Sequence, residues 1–309
     1  MTNFHKLPDE IELEEHLKPT ATNFFRDLRD RICAEFEAIE GELGEGEFAH
    51  QPPLAGMSGP PSKGHFSRKI WYHKNDDGAP GGGGEISLMK GRVFEKVGVN
   101  ISNVYGRFSE NFRQQIPGAE ENGGAFWAAG ISLVAHMRSP LVPAVHMNLR
   151  MIVTNRLWFG GGSDLTPLYP LEEDCKLFHS QLQECCDRHN PNYYAEFKSW
   201  CDRYFFLPHR NEPRGVGGIF FDYLNTQNWQ SDFDFVRDVG ETFLKTYPQI
   251  VRRHMHEGWS AAQREELLIK RGRYVEFNLI HDRGTQFGLK TGGNIEAILM
   301  SLPPEVKWL

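Results

Sequence analysis

The sequence predicts a single α+β domain with antiparallel strands, and three observations carry that expectation. Strand-like runs cluster between residues 85 and 153, helical periodicity dominates 171–207, and it returns over 231–270. Runs of one kind followed by runs of the other favour antiparallel pairing over a parallel βαβ sheet. With 309 residues, 39% hydrophobic and 24% charged, the chain can bury a large core as one unit spanning 1–309.

The elements follow in order. Phe24, Leu28, Ile32 and Phe36 recur every fourth residue and predict an amphipathic helix over 20–42, with 1–19 as an N-terminal extension. The Gly/Pro-rich stretch 44–64 predicts a loop, and 76–84, ending in four glycines, a second flexible segment. Those glycines read as a mobile turn or as a flap over a ligand, and not as a phosphate loop, since no Lys-Ser/Thr follows them. Strands are expected at 86–89, 92–100, 125–137 and 144–153. A buried strand is expected at 217–224, helices at 231–255 and 260–270, and a last strand at 274–281. Ser260 and Gln263 have the spacing of a capping box.

A net charge of −7 and a pI near 6.0 argue against a general nucleic-acid or membrane surface, so an anionic ligand has to be met by local arginines. The opening MTNFHKLPDEIELEE lacks the basic and apolar regions of a secretory signal, and no apolar run is long enough to span a bilayer. A cytoplasmic protein is the expectation. Five cysteines without a CxxC pair form no disulfide framework, and Cys175, Cys185 and Cys186 are expected as packing residues or free thiols.

Between Ala144 and Val153 the residues alternate, so that His146, Asn148 and Arg150 share one face while Val145, Met147, Leu149 and Met151 take the other. A proton-transfer group, an amide and a fixed cation thus project together, with His146 and Arg150 about 13 Å apart along the strand. Two readings are open: an ordinary solvated face, or the floor of a site for a large flat anionic ligand. Ser132 and His136 repeat the device one strand earlier. In LWFGGGSDLTPLY an aromatic-glycine turn is expected to deliver Asp164, which could orient an imidazole, anchor a pyrrole N–H or accept a proton. His136, His146, His179 and His209 either converge on a divalent metal or act separately; their spacing matches no compact metal motif. Arg271, Arg273 and Arg283 either bind carboxylates or serve as helix caps and local ion-pair partners.

The segments GISLVAH, PAVHMNLR, WFGGGSDLTPLY, EFKSWCDRYFFLPHRNEPRGVGGIFFD, RGRYVEFNLIHDRGTQFGLKTGG and ILMSLPPEVKW stand in one order from about residue 20 to the end. In these motifs the chain resembles the oxygen-dependent coproporphyrinogen oxidase family. The resemblance implies a large antiparallel sheet flanked by helices on both faces, and a homodimer with its contact in 274–309. It implies oxidative decarboxylation of two propionates of coproporphyrinogen III to vinyls, giving protoporphyrinogen IX, with molecular oxygen as co-substrate and no organic cofactor. By motif, it places the proton-handling histidine on His146, the GGGxDLTP aspartate on Asp164, and substrate contacts on Ser132, Asn148, Leu149, Arg150, Gly292 and Gly293. A metal, if present, is implied at His136, His146, His179 and His209.

Two departures stand out. The family's TGG turn continues with Arg where this chain has Asn294, and its FFDD becomes Phe221, Asp222, Tyr223. Asn294 therefore replaces an expected carboxylate contact with an amide, and recognition shifts toward Arg150, Arg273 and Arg283. The mechanism expected from the sequence has Asp164 holding pyrrole N–H groups, Arg150 positioning a propionate and His146 exchanging a proton. Rival readings are a histidine-metal hydrolase or oxygenase and a non-catalytic porphyrin binder.

Overall fold

The computed structural model describes residues 12–44, 62–290 and 293–309. Among the described residues seven strands form one sheet: β1 (Ser67–Lys74), β2 (Pro80–Met89), β3 (Phe94–Arg107), β4 (Ala125–Met137), β5 (Ala144–Val153), β6 (Leu157–Thr166) and β9 (Gly217–Leu224). They lie in that order and every neighbouring pair is antiparallel. The short strands β7 (Phe206–Leu207) and β8 (Glu212–Pro213) make a separate pair.

One face of the sheet carries the core. Ala129, Ile131, Leu133, Val145, Met147, Leu149 and Met151 are all buried there, under α1 (Lys18–Glu42) and the helix Trp229–His254. Their alternation with polar residues is what turns one side of each strand toward apolar cover. Helix α1 starts before the expected boundary, and Leu13 and Leu17 in the π-helical turn ahead of it are already buried. Between α1 and β9 along the chain come α2 (Glu110–Arg113), α3 (Glu172–Asp187) and α4 (Tyr193–Tyr204), and Trp229–His254, after β9, is α5.

The opposite face is covered at one end by the C-terminal run: α6 (Ala261–Glu276), a π-helical turn (Phe277–His281), α7 (Arg283–Lys290) and α8 (Ile295–Leu299). There the His136 Nε2–H donates to the Ser301 carbonyl at 2.8 Å, and Met300 packs with Trp71 and Ile86. Helices thus flank both faces. Among the described residues, no helix is long and apolar enough to cross a membrane.

Several local expectations change. The four glycines 81–84 are not a flexible turn but part of β2, where Gly83 and Gly84 pair with β1 on one side and Gly82, Gly83 and Gly84 with β3 on the other. A Cβ at Gly84 would come 2.6 Å from the Trp71 ring, so the glycine admits the indole against the strand. The WFGGGSD glycines likewise form no turn; they lie inside β6, which is buried throughout. Residues 274–281 are helical rather than a strand, because their alternation is too short to resist continuation of α6. The 260–270 helix accordingly runs to Glu276, opened by the expected Ser260–Gln263 capping box. All five cysteines are free. The 44–64 loop lies almost wholly outside the described residues.

A buried carboxylate pins the β2–β3 connection. Glu40 accepts backbone N–H bonds from Gly64 (3.1 Å), Arg92 (2.7 Å), Val93 (2.8 Å) and Phe94 (2.8 Å). Replacing it with Ala leaves these donors orphaned, which costs on the order of 3 kcal/mol or more. Chemical denaturation should show that loss for Glu40→Ala and a smaller one for Glu40→Gln; an unchanged midpoint would remove Glu40 from the fold's supports.

Candidate active site

The site grows from the register of three central strands. Across the sheet, Val134 of β4, His146 of β5 and Asp164 of β6 lie in one row; Ser132, Asn148 and Gly162 form the next, and Gly130, Arg150 and Gly160 the third. His146, Asn148 and Arg150 are half-buried on this face, while Leu149 points the other way into the core with no exposure. Of the substrate positions carried over by resemblance, Leu149 alone among these turns its side chain away.

The glycines of β6 now have a local purpose. A Cβ at Gly160 would sit 2.6 Å from Asp222 Oδ1 and 2.7 Å from Arg150 Nη2, blocking the 2.9 Å ion pair between those two side chains. Gly130 and Gly162 are likewise buried, and a Cβ there would meet the Leu149 carbonyl of β5 at 2.6 Å and the Ile219 carbonyl of β9 at 2.2 Å.

A continuous hydrogen-bond array runs along this surface. Arg214 Nη2 donates to both oxygens of Asp164 (2.7 and 2.6 Å), and Asp164 Oδ1 accepts from His146 Nδ1 at 2.8 Å. His146 Nε2 lies 3.1 Å from Asn148 Nδ2, and Asn148 Oδ1 accepts from Arg150 Nη1 at 2.9 Å. The Phe205 ring meets the His146 imidazole edge-on at 5.8 Å. Asp164 is only 1% exposed. Burial alone would raise its pKa, but the charge of Arg214 and the hydrogen bond from His146 outweigh it and hold the group below the usual carboxylate range. Asp164 therefore faces His146 and Arg214, not a pyrrole N–H, and of the three roles open to it the geometry supports orienting the imidazole.

Arg214 is the residue that sequence reasoning passed over. Its guanidinium is sealed among Phe205 (3.9 Å to the ring centroid), Tyr274 (4.7 Å) and Phe277 (4.8 Å), with Nη1 donating to Asn278 Oδ1 at 3.2 Å. It stands 50 positions from Asp164, so no local pattern announces the pair.

The remaining candidates fall into separate places. Ser132 is half-buried beside Asn148. Arg283 is exposed, its guanidinium 5.3 Å from the Tyr204 ring, which stacks on Phe220 at 4.2 Å; Phe220 pairs with Gly162. Arg273 is held by Glu212 (3.2 Å) and Glu276 (3.3 Å), and Arg271 is buried on Glu95. Gly292 lies outside the described residues. Gly293 donates its backbone N–H to Gly288, and Asn294 caps α8 by accepting from Ala297 N at 2.9 Å. The asparagine thus has a local reason to be there. The retained acid of the altered FFDD motif, Asp222, is the partner of Arg150.

The four histidines are not brought together. His136 bonds Ser301 and packs on Tyr274; burial, reinforced by Arg271, pushes its pKa down to about 3. His179 Nε2 faces the Val216 carbonyl and its Nδ1 the Tyr194 hydroxyl, while His209 sits between His281 and Glu276. Among the described residues no group of three or more His, Cys, Asp or Glu side chains is placed to hold a metal ion. The expected four-histidine ligand set does not fit this geometry, and no step below is routed through a metal.

The profile of the coproporphyrinogen III oxidase family matches residues 20–309. The chain belongs to that family. A coproporphyrinogen oxidase from Rickettsia bellii (strain RML369-C), named oxygen-dependent coproporphyrinogen-III oxidase, is 55% identical over 291 residues, covering 94% of this chain and 98% of that protein. Proteins of the same name from Rickettsia akari (strain Hartford) and Rickettsia rickettsii (strain Sheila Smith) are 55% and 54% identical over the same shares. In this chain the motif residues of β5 and β6 are the ones that the hydrogen-bond array joins.

Removing Arg214 tests the array. In the native chain Asp164 has a depressed pKa, so its contribution to stability is present above the ordinary value of 3.8 and is lost as pH falls through the lower folded value. In Arg214→Met, burial without the guanidinium raises that pKa instead, and the carboxylate becomes a penalty above 3.8 that vanishes below it. Unfolding should show Arg214→Met destabilised by about 3 to 5 kcal/mol at neutral pH and by much less near pH 3. A loss independent of pH would show that Arg214 acts through packing alone.

Proposed function

We infer that this chain is an oxygen-dependent coproporphyrinogen oxidase that converts two propionates of coproporphyrinogen III to vinyls, giving protoporphyrinogen IX in haem biosynthesis. The observation that carries this reading is 55% identity with an enzyme of that name along nearly the full length of both chains. In each round a propionate loses carbon dioxide, and the two electrons and proton released with it reduce oxygen, which takes up one further proton to leave as hydrogen peroxide.

The site supports a division of labour. Arg150, 28% exposed at its side chain, holds a propionate through its planar fork. His146, kept in register by Asp164, moves a proton through Nε2, the ring atom on the Asn148 side. Arg214 stays behind Asp164 and carries no substrate. No organic cofactor is invoked, since the reduced tetrapyrrole itself supplies the electrons to oxygen.

The finer reading extends to assembly and place. The enzyme works as a cytoplasmic homodimer through 274–309, a segment supported as a contact by its exposed Leu279, Ile280, Ile295 and Trp308.

The deciding experiment is anaerobic incubation with coproporphyrinogen III, admission of oxygen, and chromatography for protoporphyrin. The native chain should form product, and tight binding without decarboxylation would reduce it to a porphyrin binder. His146→Ala should lower kcat by about 10² to 10⁴ with little change in binding. Arg150→Ala should lower kcat/KM by about ten- to a hundredfold. Unchanged turnover in His146→Ala would take the histidine out of the chemistry.

A further inference from the structure

Strand β9 makes one irregular step, and it falls at the site. Phe221 pairs with Gly161 of β6 and Leu224 with Phe159, so Asp222 and Tyr223 together stand opposite Gly160. Ile219, Phe221 and Leu224 all enter the main core, and Phe220 joins the Phe205 cluster on the other face. Regular alternation from Ile219 and Phe221 would send Tyr223 into the core as well. The bulge re-aims it. Asp222 reaches Arg150 at 2.9 Å, and the Tyr223 ring meets that of Trp158 at 5.7 Å. Trp158 alternates with the core residues Leu157 and Phe159, so it lies on the site face, and Tyr223 lies there beside it.

The backbone holds the tyrosine there against its own preference. Tyr223 has a φ of +56°, a left-handed conformation that bulky side chains rarely adopt, and its N–H donates to Asp222 Oδ1 at 3.0 Å. The phenol is half-buried, and its hydroxyl has no hydrogen-bond partner among the described residues. Burial, reinforced by Asp222, raises its pKa, while the charges of Arg283 and Arg150 pull the other way. The hydroxyl therefore stays a donor, and both guanidinium groups stand within electrostatic reach of it. Neither cation is used up. Arg150 gives one hydrogen of Nη1 to Asn148 and one of Nη2 to Asp222, out of five N–H donors. Arg283 lies over the Tyr204 ring at 5.3 Å with no carboxylate partner among the described residues. The neighbouring Asp282 is engaged by the Tyr204 hydroxyl at 2.8 Å and the Thr285 N–H at 2.7 Å.

We propose that Tyr223 is a substrate-binding residue whose hydroxyl, together with Arg283, takes a second propionate beside the one held by Arg150. A phenol and a guanidinium that both offer hydrogens suit a carboxylate, which only accepts. Asp222 stays on Arg150 and offsets one of the two positive charges, leaving the other for the second arm. Where the FFDD pattern has a second acid, this chain presents a donor. The bulge is thus the device that lets one strand supply both a partner for Arg150 and a ligand contact of its own. This rests on the reading of the chain as a coproporphyrinogen enzyme and of Arg150 as a propionate contact.

The test is equilibrium titration of the full-length protein with coproporphyrin III, the air-stable aromatic counterpart carrying the same propionates, followed by porphyrin fluorescence. Tyr223→Phe removes the hydroxyl alone and keeps the ring against Trp158, so the fold is retained. It should bind the probe about ten- to a hundredfold more weakly than the native chain. Tyr223→Asp should bind more weakly still, because it sets a carboxylate against a carboxylate. In an Arg283→Met background Tyr223→Phe should cost little further, since both serve one arm, whereas with Arg150→Met the two losses should multiply. Native-like binding by Tyr223→Phe, with binding still dependent on Arg150, overturns the role of Tyr223 and leaves the Arg150 assignment standing. Losses that multiply with Arg283→Met overturn the shared arm. Absence of binding by the native chain, or equal binding by native protein and Arg150→Met, overturns the reading on which the inference rests.

Discussion

A guanidinium and a carboxylate meet buried between β6 and the segment ahead of β9, and the geometry of the site depends on their meeting. Arg214 and Asp164 are respectively 3% and 1% exposed at their side chains. Either charge alone at such a depth would be strongly unfavourable, whereas together, with Asn278 and His146 taking further hydrogen bonds, each satisfies the other. The pair spans elements distant in sequence: Asp164 belongs to β6, and Arg214 follows β8 ahead of β9. It therefore joins the central strands to the aromatic wall of Phe205, Tyr274 and Phe277. The tautomer and orientation of His146 follow from that junction.

The sheet performs two tasks because a strand has two sides. On β5, Met147, Leu149 and Met151 supply the core beneath α1 and α5, and the residues between them project as an imidazole, an amide and a guanidinium. Strand spacing is rigid, so the distance between the proton-handling and carboxylate-holding ends does not depend on a loop. Gly160, buried within β6, makes room for the Arg150–Asp222 pair.

Much of this was legible from the chain. Alternation over Ala144–Val153 fixes which residues share a face, and the run of strands followed by helices fixes antiparallel pairing. The glycine-rich segments were misread because glycine's freedom suggests a turn, while here its lack of a side chain is what matters, under Trp71 and beside Arg150. Residues 274–281 deceived by a short alternation that the preceding helix overrides. Arg214 left no local signal, since its meaning lies in a partner 50 positions away on β6. The role of Asp164 was legible only as a set of alternatives, and burial with both oxygens engaged favours the one that turns inward. Asn294, read as a lost ligand contact, is a helix cap whose partner is three residues away.

The dependence of the site on the buried pair is most directly measured by a double-mutant cycle on unfolding at neutral pH, using Arg214→Met, Asp164→Asn and the two together. If each charge is tolerated because of the other, the two substitutions are strongly non-additive, with a coupling of at least about 2 kcal/mol and a double variant more stable than Arg214→Met alone. Additive losses, with coupling below about 0.5 kcal/mol, would contradict the account.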